Sequence, residues 1–182
     1  MHLQHFIRTY PHSLPLPQCQ AWCEGFASHQ PTRNGAGVRL GLEASSWHEF
    51  DVAKQQPALV PSLEKLALQG FYRYNQDCGL TLPIHTPVRF SEWIIKRYRA
   101  DQNEGFQYHF DALGPVANRY LVFLWYLNTV GQGGETVFPD IGVQIVPQAG
   151  TLLIFPPYWL FQHAGLPPIS GDKYILSTYA LY

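Results

Sequence analysis

Tyr108-His109-Phe110-Asp111 places an imidazole and a carboxylate two residues apart. In an extended strand, positions i and i+2 project to the same face, so His109 and Asp111 would point to one side of a sheet. That pair is two-thirds of a two-histidine, one-carboxylate facial set, a donor combination that holds non-haem ferrous iron and leaves coordination positions open. Alone the pair is a weak signal, because the chain has 8 His and 13 Asp plus Glu. The signal strengthens at His163, in Phe161-Gln162-His163-Ala164-Gly165, the start of another candidate strand. Lys173 follows ten positions later and opens the last strand. A barrel or two-sheet sandwich brings distant strands side by side, so His109, Asp111 and His163 can meet at one iron. Three protein ligands on one face leave three positions, two for a chelating oxoacid and one for dioxygen.

The elements that must position these groups are mostly short strands. From Val88 onward the spacing predicts strands over Glu92–Arg99, Phe106–Phe110, Arg119–Asn128, Thr136–Phe138, Val143–Val146, Thr151–Phe155, Phe161–Ala164 and Lys173–Tyr182. Turn residues separate them, notably Gly131-Gln132-Gly133-Gly134, Pro147-Gln148-Ala149-Gly150, Pro156-Pro157 and Pro167-Pro168. The first half reads differently. One helix is expected from about Pro17 through Trp22 and Phe26, since Pro suits a first helical turn. A second is expected from Pro57 to Asn75, with Leu59, Leu63, Leu66, Phe71 and Tyr72 as its apolar stripe. The Gly- and Ser-rich stretch Thr32–Lys54 can supply short strands or a loop over a site. The expectation is a mainly β chain with N-terminal helices: a barrel or two-sheet jelly roll with helices packed outside. A single domain spans 1–182, with 1–87 as helical lead-in and support and 88–182 as the core.

Composition narrows the function classes. The 182 residues carry a net charge of −1, and 46% are hydrophobic, so this is a folding chain without the cationic face that nucleic acid binding needs. No apolar run reaches membrane-spanning length, and no signal peptide pattern opens the chain, so a cytoplasmic protein is expected. Cys19, Cys23 and Cys78 make no metal-site spacing and read as free thiols of a reducing compartment.

Residues 92–182 resemble the Fe(II)/2-oxoglutarate-dependent dioxygenases, in particular the prolyl 4-hydroxylase-like branch. Six motifs carry the resemblance in order: His109-Phe110-Asp111; Tyr126-Leu127-Asn128; Gly133-Gly134-Glu135-Thr136 with Phe138-Pro139; Pro147-Gln148-Ala149-Gly150; His163; and Gly171-Asp172-Lys173. The resemblance implies a cupin-like double-stranded β-helix with the metal inside. It implies His109, Asp111 and His163 as the catalytic Fe(II) ligands, with O2 and 2-oxoglutarate as co-reactants. It implies Lys173 as the cation that pairs with the distal carboxylate of 2-oxoglutarate. A lysine aimed into a barrel is costly without a negative partner, and a dianion supplies one. Tyr126 matches a tyrosine that hydrogen-bonds the same carboxylate in related hydroxylases, and Tyr98 can line the pocket. Because Asp111 is present, hydroxylation is expected rather than halogenation.

Two departures stand out. Val122 occupies a position where the family often has Thr, which removes one hydrogen bond to the cosubstrate. The segment between Phe155 and His163 is short where collagen-type enzymes carry a longer loop. The leading expectation is hydroxylation of a peptidyl proline with release of succinate and CO2. The alternative is the same chemistry on a free amino acid or other small molecule, and a lesser one is a non-catalytic jelly-roll binding module. Glu135 and Thr136 are candidates for the substrate entrance, and Ser177 shares a strand face with Lys173. Tyr158 to Phe161 reads as core, and Arg89, Lys96, Arg97 and Arg99 as a solvated strand edge.

Overall fold

Strand β7, Arg119–Tyr126, is buried along almost its whole length, so both faces of its sheet are covered. The computed structural model describes residues 2–35 and 42–182. In chain order the strands are β1 Arg8–Tyr10, β2 Thr32–Gly35, β3 Ser46–Asp51, β4 Arg89–Phe90, β5 Ile94–Tyr98 and β6 Phe106–His109, followed by β7. The rest are β8 Thr136–Phe138, β9 Val143–Ile145, β10 Leu152–Phe155, β11 His163–Gly165 and β12 Lys173–Leu181. The helices are α1 Leu16–Gly25, α2 Val52–Gln55 and α3 Val60–Cys78.

The large sheet runs β1-β10-β7-β12-β5-β3-β2, with β4 added at the end of β12. The small sheet runs β6-β11-β8-β9. Alternation along β7 divides the core in two. Leu121, Phe123 and Trp125 turn outward with Leu152, Ile154 and Leu176, and Leu63, Ala67, Phe71 and Tyr74 of α3 cover them. Val122, Leu124 and Tyr126 turn inward with Leu153, Phe155 and Ile175, and meet Phe138 and Phe161. This is the expected double-stranded β-helix with helices outside. Among the described residues, no helix is long and apolar enough to cross a membrane.

All eight predicted strands form, each within a few residues of the expected bounds. The lead-in is more than helical support. It supplies β1, β2 and β3 to the large sheet, and β3 places the fully buried Trp47 in the inner core. The Thr32–Lys54 stretch therefore forms strands at both ends, while residues 36–41 lie outside the described residues. α3 begins and ends later than predicted. Its buried face is Leu63, Ala67, Gly70, Phe71, Tyr74 and Cys78, whereas Tyr72 faces solvent. The basic residues of β5 are not an edge either, because β5 lies between β12 and β3. The guanidinium of Arg97 lies 5.1 Å from the Phe26 ring on the helix side, while Lys96 lines the inner cavity. In the segment after Phe155 only Phe161 is core, and Tyr158, Trp159 and Leu160 are exposed. All three cysteines are free thiols.

Candidate active site

Antiparallel pairing brings the two histidines together. His109 ends β6 and His163 begins β11, and the two are direct partners across the small sheet. Their ring centroids are 4.2 Å apart. Asp111 does not share the strand with His109. The chain leaves β6 after His109, and the N–H groups of Asp111 and Ala112 both donate to the carbonyl of Pro157. That turn, rather than strand alternation, brings the carboxylate back over the imidazoles. Nε2 of His109 lies 3.4 Å from Asp111 Oδ1, and Nε2 of His163 lies 3.5 Å from Oδ2. One donor atom from each of the three lies within 4.8 Å of the others.

The tautomers suit a metal. His109 donates from Nδ1 to the carbonyl of Gln107 at 2.7 Å, and His163 from Nδ1 to the carbonyl of Phe161 at 3.1 Å. A carbonyl can only accept, so in the neutral rings both Nε2 atoms carry lone pairs toward the cluster. Burial and then the His109 ring push the His163 imidazole down to about 4, which keeps it neutral and able to ligate at pH 7. Burial raises the Asp111 carboxyl. The His109 ring, then His163 and the Tyr179 hydroxyl outweigh it and hold the group well below the usual carboxylate range. Asp111 Oδ2 is buried and accepts no hydrogen bond. An unsatisfied carboxylate oxygen facing two imidazole lone pairs is a donor set that fits a divalent cation.

Below the cluster lies a small chamber of about 50 Å³, lined by Tyr98, Val122, Thr136, His163, Lys173 and Ser177 among others. Above it opens a cleft of about 980 Å³. His109, Asp111, Lys96, Phe106, Ser177 and Tyr179 line both, so the cluster stands at the junction. Lys173 is 2% exposed. Burial pushes its ammonium down to about 7, and Glu135 opposes that only in part. The rings of Tyr98 and Tyr126 lie 5.5 and 5.7 Å from Nζ. Tyr98 is the direct strand partner of Lys173 and forms a chamber wall. Tyr126 stands behind that wall and donates to Thr136 Oγ1 at 2.7 Å. Thr136 is therefore a chamber residue and not part of the entrance, since β8 pairs with β11 and turns its side chain inward. Its side chain lines the same chamber as Val122.

The fold and cluster can now be set beside known proteins. Residues 93–181 match the 2OG-Fe(II) oxygenase superfamily. Over those residues the chain carries the sequence pattern of that superfamily. The chain is 35% identical to prolyl 4-hydroxylase subunit alpha-1 of Gallus gallus over 166 residues, which is 85% of the chain and 25% of the relative. It is 24% identical to prolyl 4-hydroxylase 13 of Arabidopsis thaliana over 177 residues, covering 81% and 58%. The chain thus spans about a quarter of the length of the chicken subunit. Its fold is shared with the viral collagen prolyl hydroxylase of Paramecium Bursaria Chlorella virus-1, solved with 2OG (TM-score 0.70, 18% identity, 96% and 94% covered). It is shared too with a Trichoplax adhaerens prolyl hydroxylase bound to a hypoxia inducible factor peptide (TM-score 0.74, 15% identity, 97% and 84% covered).

Sequence reading did not single out Tyr179 as a site residue, and it placed Arg119 only as the start of a strand. Tyr179 was within reach, since Lys173, Ser177 and Tyr179 share one face of β12 by simple alternation. Arg119 was not. By alternation along β7 it belongs with Leu121 and Phe123 on the helix side. A register irregularity between Ala180 and Leu181 instead sets it opposite Leu181, on the face that Tyr179 occupies.

Proposed function

We propose that the chain is a prolyl 4-hydroxylase-like oxygenase that acts on a peptidyl proline. One observation carries the reading: the His109-Asp111-His163 cluster lies between a buried lysine, whose charge Glu135 offsets only in part, and a wide open cleft. His109 and His163 through Nε2 and Asp111 through Oδ2 would hold ferrous iron. Lys173 would meet the distal carboxylate of 2-oxoglutarate, with Thr136 as a hydroxyl donor polarised by Tyr126. When bound, iron and 2-oxoglutarate supply with dioxygen the oxidising power for C–H hydroxylation, with succinate and CO2 as co-products. The protein contributes coordination geometry, an anion-matched floor and apolar walls that exclude water.

The cleft supports a peptide over a free amino acid. At about 980 Å³ it lies at the upper end of small-molecule pockets, and its lining runs from Gln30 and Lys54 to Arg119. The names of the relatives point the same way. Succinate release coupled to oxidation should be seen with proline-containing peptides and be far weaker with free proline. Replacing His109, Asp111 or His163 by Ala should abolish it while the circular dichroism spectrum is kept. Equal turnover of free proline would move the assignment to small-molecule hydroxylation, and full activity in any Ala variant would remove that residue from the ligand set.

A further inference from the structure

Asp111 is held at every polar atom except one. Its N–H donates to the Pro157 carbonyl at 3.0 Å, and its carbonyl accepts from Arg119 Nη1 at 3.4 Å. Its Oδ1 accepts from the Tyr179 hydroxyl at 2.8 Å. Only Oδ2 lacks a hydrogen bond. The Arg119 guanidinium carbon lies 3.8 Å from the centroid of the Tyr179 ring, a stacked cation–π contact. One arginine therefore grips Asp111 at its backbone and also presses on the ring whose hydroxyl grips its side chain. The two residues come from adjacent strands, and the β7 irregularity is what turns Arg119 to this face.

We propose that Tyr179, braced by Arg119, is a positioning residue for the metal site: it ties down Oδ1 so that Asp111 presents Oδ2 alone, as a monodentate ligand. The inference rests on the metal-binding reading above. A carboxylate with two free oxygens can rotate or chelate through both. Either motion would take a coordination position that an oxoacid and dioxygen require. A hydrogen bond from a neutral phenol removes that freedom and leaves the carboxylate charge in place. Tyr179 touches neither the imidazoles nor the Lys173 floor in any hydrogen bond, so its hydroxyl is spent on the carboxylate.

The test is anaerobic Co(II) binding to the purified chain, read by affinity and by the visible d–d spectrum, without turnover. Tyr179→Phe removes only the hydroxyl. It should weaken Co(II) binding by about 10- to 100-fold, the usual cost of removing a group that orients a metal ligand. The band intensities should change as the freed carboxylate alters the coordination number. Arg119→Gln keeps the hydroxyl and removes the brace, and should shift both readouts the same way by less. If Tyr179→Phe loses its thermal unfolding transition, Arg119→Gln decides the matter alone. Affinity and spectrum equal to those of the parent in the deciding variant would overturn the positioning role and leave the ligand triad untouched. Failure of the parent chain itself to bind Co(II) would overturn the triad, and this inference with it.

Discussion

At the residue scale, the surroundings of the Lys173 ammonium disfavour its charge. Burial pushes the ammonium down from the ordinary lysine value of 10.5 to about 7. Between those values the unfolded chain binds more protons than the folded one, so stability rises as pH climbs from about 7 to about 10.5. Below 7 both states are protonated and the full penalty of burying the charge is present. Lys173→Met should therefore raise the melting temperature of the metal-free protein at pH 6.5, by about 2–8 °C for a gain of 1–2 kcal/mol, and change it little at pH 10.5. Equal effects at both values would show that the lysine is not charged inside the fold. The same site predicts a split in binding. Lys173→Ala should weaken 2-oxoglutarate binding by roughly 30- to 5000-fold, from the 2–5 kcal/mol lost when one member of a buried charge pair is removed. Co(II) affinity measured without cosubstrate should stay within a few-fold of the parent. A large loss of metal binding in that variant would show that the lysine supports the metal cluster and not the anion.

At the element scale, α3 lies on the outer face of the large sheet through a glycine. A Cβ placed on Gly70 would come 2.6 Å from Leu152 Cδ2 and 3.5 Å from Ile154 Cδ1. Gly in mid-helix costs about 1 kcal/mol relative to Ala, so an open site would make Gly70→Ala stabilising. The close approach offsets that gain, because overpacking typically costs about 1–3 kcal/mol. Gly70→Ala should therefore be neutral to destabilising in urea melts, and Gly70→Val clearly worse. A gain near 1 kcal/mol on Gly70→Ala would mean that helix and sheet lie further apart than they do here. The strands at the site depend on the sheet behind them, since β10 carries Leu152 outward and Leu153 and Phe155 inward.

For the whole molecule the question is which parts can stand alone. The motifs occupy the second half of the chain, but the first half supplies three strands of the large sheet and the helices over its outer face. Cutting at 87/88 would bare Leu121, Phe123, Trp125, Leu152 and Ile154 to water and open the edges of β5 and β10. Exposed edges and apolar patches of that size favour aggregation. The isolated fragment 88–182 should be insoluble, or lack the near-ultraviolet dichroism of packed aromatics. A soluble, cooperatively folding fragment would show that the lead-in is dispensable.

The strand pattern, the fold class and the four groups His109, Asp111, His163 and Lys173 were all legible in the linear chain. Alternating apolar positions, turn residues and motif spacing are local properties, and local properties are written in order along a sequence. What was not legible depended on which strand lies beside which. Periodicity placed His109 and Asp111 on one strand face, yet only the contact with Pro157 turns Asp111 over the imidazoles. Unbroken alternation along β7 would put Arg119 on the outer face, yet one irregularity against β12 turns it inward. Lys96 read as a solvated edge until β3 covered β5, and Thr136 as an entrance until β11 closed over it. Pairing between distant segments is a property of the folded chain, because the free energy that selects a partner strand comes from side chains far away in sequence. The sequence determined which donors exist, and tertiary packing decided which atom of each faces the metal site.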